Sequence, residues 1–208
     1  MAVQLGWYDK AGVEQLDSDV VVQMTPLAND EQLLELQLII RPGGGKDKVE
    51  LGKTNFGFLA VRVAKSLSGH FGDGRLTDSE GRVGEKAIFG QAASWMDYSG
   101  SVAIGRGSDR STAHQGITYF DHADNPRYPT HWHVRQDGWM GASFCMNDGY
   151  SISQDKPLVL RYQLHAHAGD LDANRATQLA AEFNERGAFA IRRSKAPHVH
   201  SEVVRVAD

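Results

Sequence analysis

The stretch Pro157-Leu-Val-Leu-Arg-Tyr-Gln-Leu-His-Ala-His167 decides the reading of the fold. Leu160, Tyr162, Leu164 and Ala166 alternate in it with Arg161, Gln163, His165 and His167. Alternation with a period of two belongs to a strand whose apolar side faces a core and whose polar side does not. The same texture runs back along the chain. Val3 to Tyr8, Val20 to Met24, Leu33 to Arg41, Phe56 to Ala64, Ala93 to Tyr98, Ser101 to Gly105, Gly116 to His122 and His131 to Arg135 all read as strands. Gly69 to Gly84 is polar and glycine-rich and reads as a long loop or a loosely paired hairpin.

One helix is expected near residues 171–186. Asp170 or Asp172 can cap it, Leu171, Ala176, Leu179, Ala180 and Phe183 form its apolar stripe, and Gly187 ends it. An edge strand is expected near Val203. Many strands followed by one late helix favour a mainly β, antiparallel sandwich over alternating βαβ units.

Composition narrows the function classes. The 208 residues, 41% of them hydrophobic and 23% charged, suit a single soluble globular domain. A net charge of −4 gives no nucleic-acid footprint, and no apolar run is long enough for a membrane helix. The single cysteine, Cys145, excludes an internal disulfide. The N-terminus has no secretory signal pattern, which points to the cytoplasm. Gly43-Gly-Gly-Lys46 is followed by Asp47 rather than Ser or Thr, so it reads as a hairpin turn and not a phosphate loop.

Histidine is where chemistry is expected. Six of the nine histidines stand in His-x-His pairs: His131/His133, His165/His167 and His198/His200. Two strand residues two apart share a face, and imidazole both titrates near neutrality and binds metals. Thr130-His-Trp-His-Val-Arg135 would aim His131, His133 and Arg135 one way while Trp132 and Val134 enter the core. Arginine offers a fork for a carboxylate.

Trp95, Asp97 and Ser99 share one strand face, with Tyr98 opposite; a tryptophan beside a carboxylate suits a sugar ring, though Trp95 could equally anchor a core. Asp121-His122 lies just before the Asn125-Pro126 turn and could line a pocket or simply shape that turn. His198 and His200 read as a solvated tail, and His70 and His114 as loop residues.

The segments that carry these residues resemble a bacterial family catalogued as of unknown function or as the PmoA family, also called methane oxygenase PmoA. The matching stretches are Gly57-Phe-Leu-Ala-Val-Arg62, Gly84-Glu85, Ala93 to Gly100, Phe120-Asp-His with Asn125-Pro-Arg127, Pro129-Thr130 with Trp132-His-Val-Arg135, Gly138-Trp139, and Leu160-Arg-Tyr162 through His167 and Gly169. The resemblance implies a mutarotase-like sandwich acting on a carbohydrate or oxidised sugar. It puts His122, His133 and His167 on pattern positions, with Asp97, Asp121, Asn125 and Arg135, and leaves His131 and His165 off them.

The expected catalytic set is therefore His122, His133, His167, Asp97, Asp121, Arg135 and Glu85. Trp95, Tyr98, Asn125, Trp139 and Arg161 are the expected substrate contacts. The three histidines, one from each of three strands, would form one cluster able to take a divalent metal, although nothing in the sequence requires one. The family's early His-His-Arg-Gly-type motif has no counterpart here, so the chain reads as one domain of a shortened member. A sheet edge left open that way would favour pairing with a second copy. Membrane methane monooxygenase activity is not expected, since such a subunit would need several membrane spans and this sequence offers none. The alternative to acid–base chemistry is a carbohydrate-binding sandwich using Trp95, Trp132 or Trp139, and the third reading is a histidine-coordinated metalloenzyme.

Overall fold

Alternating apolar residues build the chain into strands in a computed structural model that describes residues 1–206. The first part contains β1 (Ala2–Tyr8), β2 (Glu14–Pro26), β3 (Gln32–Pro42), β4 (Lys48–Leu51), β5 (Ala60–Arg62), β6 (Arg75–Asp78) and a short helix, α1 (Glu85–Ile88). Then come β7 (Trp95–Ile104), β8 (Ser111–Asp121), β9 (Trp132–Arg135), β10 (Trp139–Ala142), β11 (Tyr150–Ser153) and β12 (Leu158–Ala168). Helix α2 (Ala173–Asn184) and a hairpin of β13 (Phe189–Arg193) with β14 (Ser201–Arg205) follow.

The largest sheet is antiparallel with strand order β1-β2-β3-β12-β8-β7-β6. The alternation in β12 sorts its two faces as the sequence implies. Leu160 and Tyr162 join Met96, Tyr98, Tyr119, Leu38 and Ile40 in one core, completed by Trp132, Val134, Met140 and Ala142 from the small sheet β5-β10-β9. On the other face stand Arg161, Gln163, His165 and His167, beside Glu35 and Gln37 of β3, Thr118 of β8 and Asp97 of β7. The large sheet is thus a middle layer, with the small sheet on its apolar side and α2 with the hairpin on its polar side.

Helix α2 begins where its sequence says it should. The Asp172 side chain accepts from the Asn174 and Arg175 amides at 3.0 Å each. Ala176, Leu179, Ala180 and Phe183 pack on Leu33, Trp95 and Phe120. Full burial of Leu179 or Phe183 contributes about 1.5–3 kcal/mol each. The hairpin is tied down by Gln37, whose amide donates to the Phe189 carbonyl at 2.8 Å and accepts from the Phe189 amide at 2.7 Å.

Three segments depart from the sequence reading. Phe56 to Ala64 is not one strand; only Ala60–Arg62 pairs, because Gly57 presses its backbone on the Ala142 carbonyl where a Cβ has no room. The glycine-rich stretch from Gly69 to Gly84 contains β6, paired along β7. Helix α1 was not foreseen: four residues are too few to show a helical period. Among the described residues no helix is long and apolar enough to cross a membrane.

Candidate functional site: two histidine–carboxylate pairs in one cleft

At one end of the polar face, β12 presents His165 and His167 side by side, ring centroids 5.4 Å apart. Each imidazole is held by a carboxylate from another strand or turn. His167 Nε2 lies 2.9 Å from Asp97 Oδ2, which also accepts from the Thr118 hydroxyl at 2.8 Å. The Ser99 hydroxyl donates to the other Asp97 oxygen. Asp97 is fully buried, so this triple engagement keeps a desolvated carboxylate satisfied. Gly116 sits opposite His167 on β8, and any Cβ there would collide with His167 Nε2. A strand glycine here marks the close approach of another group.

His165 Nε2 lies 2.9 Å from Glu31 Oε2. Glu31 comes from the turn joining β2 to β3, where Asn29 and Asp30 both adopt φ of 60°. Two successive left-handed residues match the right-handed twist of a hairpin, and Asn and Asp tolerate that conformation best. The Asn-Asp pair between two apolar strands is the sequence signal that could have located this turn and hence Glu31.

The two imidazoles are driven apart in acidity. For His167, burial alone would disfavour the charged ring, but the hydrogen bond and charge of Asp97 outweigh it and raise the pKa above the usual histidine value. For His165, burial prevails over the Glu31 hydrogen bond, and the neighbouring His167 charge adds to it, so the pKa is lowered. Both rings open on a cleft of about 230 Å³, walled by Glu31, Asp170, Asp172 and Arg175. Beyond Asp170 and Leu171 a second hollow of about 450 Å³ reaches Ser99, Thr77 and Arg75. With each Nε2 held by a carboxylate, Nδ1 of His165 is left for chemistry, while Nδ1 of His167 faces the Ala168 carbonyl at 3.5 Å, the long limit of a hydrogen bond.

The other expected site residues lie elsewhere. His133, Arg135 and Trp139 share the outer face of the small sheet, and Glu85 of α1 stands 3.5 Å from Arg135. His133 is 7% exposed, with Phe56 and Phe89 edge-on at 5.1 and 5.3 Å. Burial lowers its pKa against the opposing effect of the nearby Asn55 backbone, and the Arg135 charge adds to the lowering. His131 falls just outside β9 and bonds Asn147 at 3.1 Å.

Asp121, His122, Asn125 and Arg161 form a closed corner. Asp121 accepts from the Asn125 side chain at 2.7 Å and the Thr130 amide at 3.0 Å. Burial nevertheless pushes its pKa up to about 7. Asn125 also clasps the Arg161 backbone, accepting from its amide and donating to its carbonyl, both at 2.7 Å. His122 is completely buried, with Nε2 against the Phe183 carbonyl at 3.1 Å and Nδ1 accepting from the Asp124 amide at 3.0 Å. Arg161 bonds the Arg186 carbonyl at 2.6 Å and approaches Glu35 at 3.5 Å, while its Nε has no partner.

The expected three-histidine cluster is therefore corrected. His122 lies beneath α2, His133 on the far side of the small sheet and His167 on the opposite face of the large one. Among the described residues, no three His, Cys, Asp or Glu side chains stand close enough to hold a metal ion. Two of the expected sugar contacts are corrected as well. Trp95 is 3% exposed beneath α2, and Tyr98 is buried with its hydroxyl donating to the Gln136 carbonyl at 3.0 Å, so neither can stack on a ligand. Trp132 is equally enclosed. An apolar groove of about 380 Å³ between Trp7, Phe58 and Phe144 carries one titratable group, Cys145, whose thiol pKa burial raises.

Residues 1–181 match the model of a family of unknown function (DUF6807), and the chain belongs to that family. The match ends within α2, so the β13–β14 hairpin lies beyond it. No curated protein and no solved structure matches the chain.

Proposed function

We propose that this member of a family without an assigned function carries out proton transfer on a carbohydrate or oxidised sugar, using His165 and His167 as a base–acid pair. The observation that carries the reading is the pair of adjacent imidazoles, each oriented by its own carboxylate, facing one small polar cleft. Two titratable groups whose surroundings push their pKa values apart divide the roles of base and acid between them. His165, with its pKa lowered, is the partner that accepts a proton. His167, with its pKa raised by Asp97, is the partner that donates one.

Ring opening and closure of a sugar need this pairing: one group takes the anomeric hydroxyl proton while another protonates the ring oxygen. Epimerisation beside a carbonyl uses the same two groups on carbon and oxygen. Carbohydrate is favoured as the substrate class by the cleft walls, since Glu31, Asp170 and Asp172 can accept from hydroxyls and Arg175 can meet a carboxylate. The resemblance to the PmoA family points the same way.

The test is anomer interconversion and deuterium uptake from solvent, followed by proton NMR on neutral sugars and their uronic and aldonic acids. Catalysis is expected with a bell-shaped pH profile, the acidic limb set by His165 below the usual histidine pKa and the basic limb by His167 above it. His165→Gln and His167→Gln should each cost on the order of 10²-fold or more and remove their own limb. Wild-type rates in the double variant would overturn the acid–base assignment. Inertness of every sugar in the panel would overturn the substrate class.

A further inference from the structure

The outer face of the small sheet carries a second set of features that the cleft does not use. Register places Arg62, Trp139 and Arg135 in one row across β5, β10 and β9, with Ala60, Gly141 and His133 in the next. The Arg62 guanidinium lies 5.4 Å from the centre of the Trp139 ring. Phe56 and Phe89 flank His133, yet they are 59% and 39% exposed.

His133 itself is more than nine-tenths buried, and its Nδ1 has no hydrogen-bond partner. An orphaned buried nitrogen costs about 1–3 kcal/mol, and exposed aromatic rings add an unfavourable apolar surface. Both costs fall on one spot. A ligand lying there would relieve both.

We infer that this face is a separate binding site for a carboxylate carried on a ring, a sugar acid or an aromatic acid. The flat side of such a ring lies on Trp139, and its edge meets Phe56, whose ring stands at 88° to the indole with centroids 6.5 Å apart. Its carboxylate meets the remaining donors of Arg62 and Arg135, whose side chains are 53% and 56% exposed and whose ion pairs with Asp137 at 3.2 Å and Glu85 at 3.5 Å it competes with. A polar substituent supplies the missing partner of His133 Nδ1. Phe56, 59% exposed in the irregular segment between β4 and β5, covers His133 at 5.1 Å, and the ligand displaces its ring to reach Nδ1. The row of two arginines with an indole between them selects for negative charge and ring together. A free short carboxylate engages the first but not the second, and a neutral sugar the second but not the first.

The test is calorimetric titration of the full chain with glucuronate, benzoate, glucose and acetate. One of the two ring acids is expected to bind at least about tenfold tighter than glucose or acetate. Which of them binds better tells whether the face takes a sugar acid or an aromatic acid, and either outcome supports the site. The surface variant Arg62→Gln/Arg135→Gln should weaken the ring acid by about tenfold or more, and Trp139→Leu should abolish it. On binding, the ¹⁵N resonance of His133 Nδ1 should move. His165→Gln/His167→Gln should leave the affinity read at the His133 Nδ1 resonance unchanged, which separates this face from the cleft. No binding of either acid, equal binding of acetate, indifference to the arginine pair, or loss of that His133 shift in the His165/His167 variant would each overturn the inference.

Discussion

Two buried corners of this molecule hold histidine beside aspartate, and they differ in what is left over. In the Asp121–His122–Asn125 corner both Asp121 oxygens, both His122 nitrogens and both polar atoms of Asn125 end on protein groups. In the cleft, Asp97 and Glu31 are likewise satisfied, but each imidazole spends one nitrogen on its carboxylate; the other is free on His165 and meets only the Ala168 carbonyl, at 3.5 Å, on His167. Counting hydrogen-bond capacity separates a polar group that holds the fold from one that can act on a ligand. The first corner is a rivet through β8, β12 and the following turn. The second is a poised pair.

The contrast can be broken by substitution, and the largest effect should come from the enclosed polar network. Glu35 faces Arg161, Arg186 and Arg205 under the hairpin, at 3.5, 3.4 and 2.8 Å. Glu35→Ala strands the buried Arg161 charge and should cost about 3–5 kcal/mol in denaturant unfolding. Asn125→Ala comes next. It leaves the Arg161 amide and carbonyl without partners, so a loss of about 2–4 kcal/mol is expected. Turnover per folded molecule should stay near wild type in both. A selective loss of turnover with stability intact would erase the distinction between the corners.

Smaller effects should sharpen the other side of the comparison. Gly116→Ala pushes His167 off Asp97; chemistry should fall by about tenfold, with KM changed far less, because a misplaced acid loses transition-state contact rather than binding. Unaltered kcat in this variant would mean that the pairing does not matter. Asp97→Asn removes the charge that raises the His167 pKa, so the basic limb of the profile should move to lower pH. The same pair makes a modest contribution to stability. Because the folded pKa is raised, that contribution is complete below the unfolded histidine pKa of about 6.5 and fades as pH climbs through the folded value. The Asp97→Asn stability curve should therefore lose its extra gain on the acidic side and converge with wild type on the alkaline side. Parallel curves would contradict it.

Much of this was legible in the chain. Alternation from Leu160 to His167 gave both faces of β12, Asp170 or Asp172 announced the start of α2, and Asp97 stood in the expected catalytic set beside Asp121. What escaped depends on distance along the chain. Glu31 reaches His165 only because β3 lies beside β12, a pairing that no local pattern announces. His165 was set aside because it falls off the PmoA-like pattern, and its value lies in being next to His167. His122, His133 and His167 looked equivalent as strand residues. Which sheet carries each one, and which face it takes, depends on the packing of layers and not on spacing.

The most direct measurement is a pH titration of the imidazole ¹⁵N resonances in the folded chain. His167 should titrate above the usual histidine value and His165 below it, while the fully engaged His122 has its pKa pulled down by burial and by the Arg161 charge. His165 and His167 titrating together, or His122 titrating above the usual histidine value, would contradict the account of a poised pair beside a closed corner.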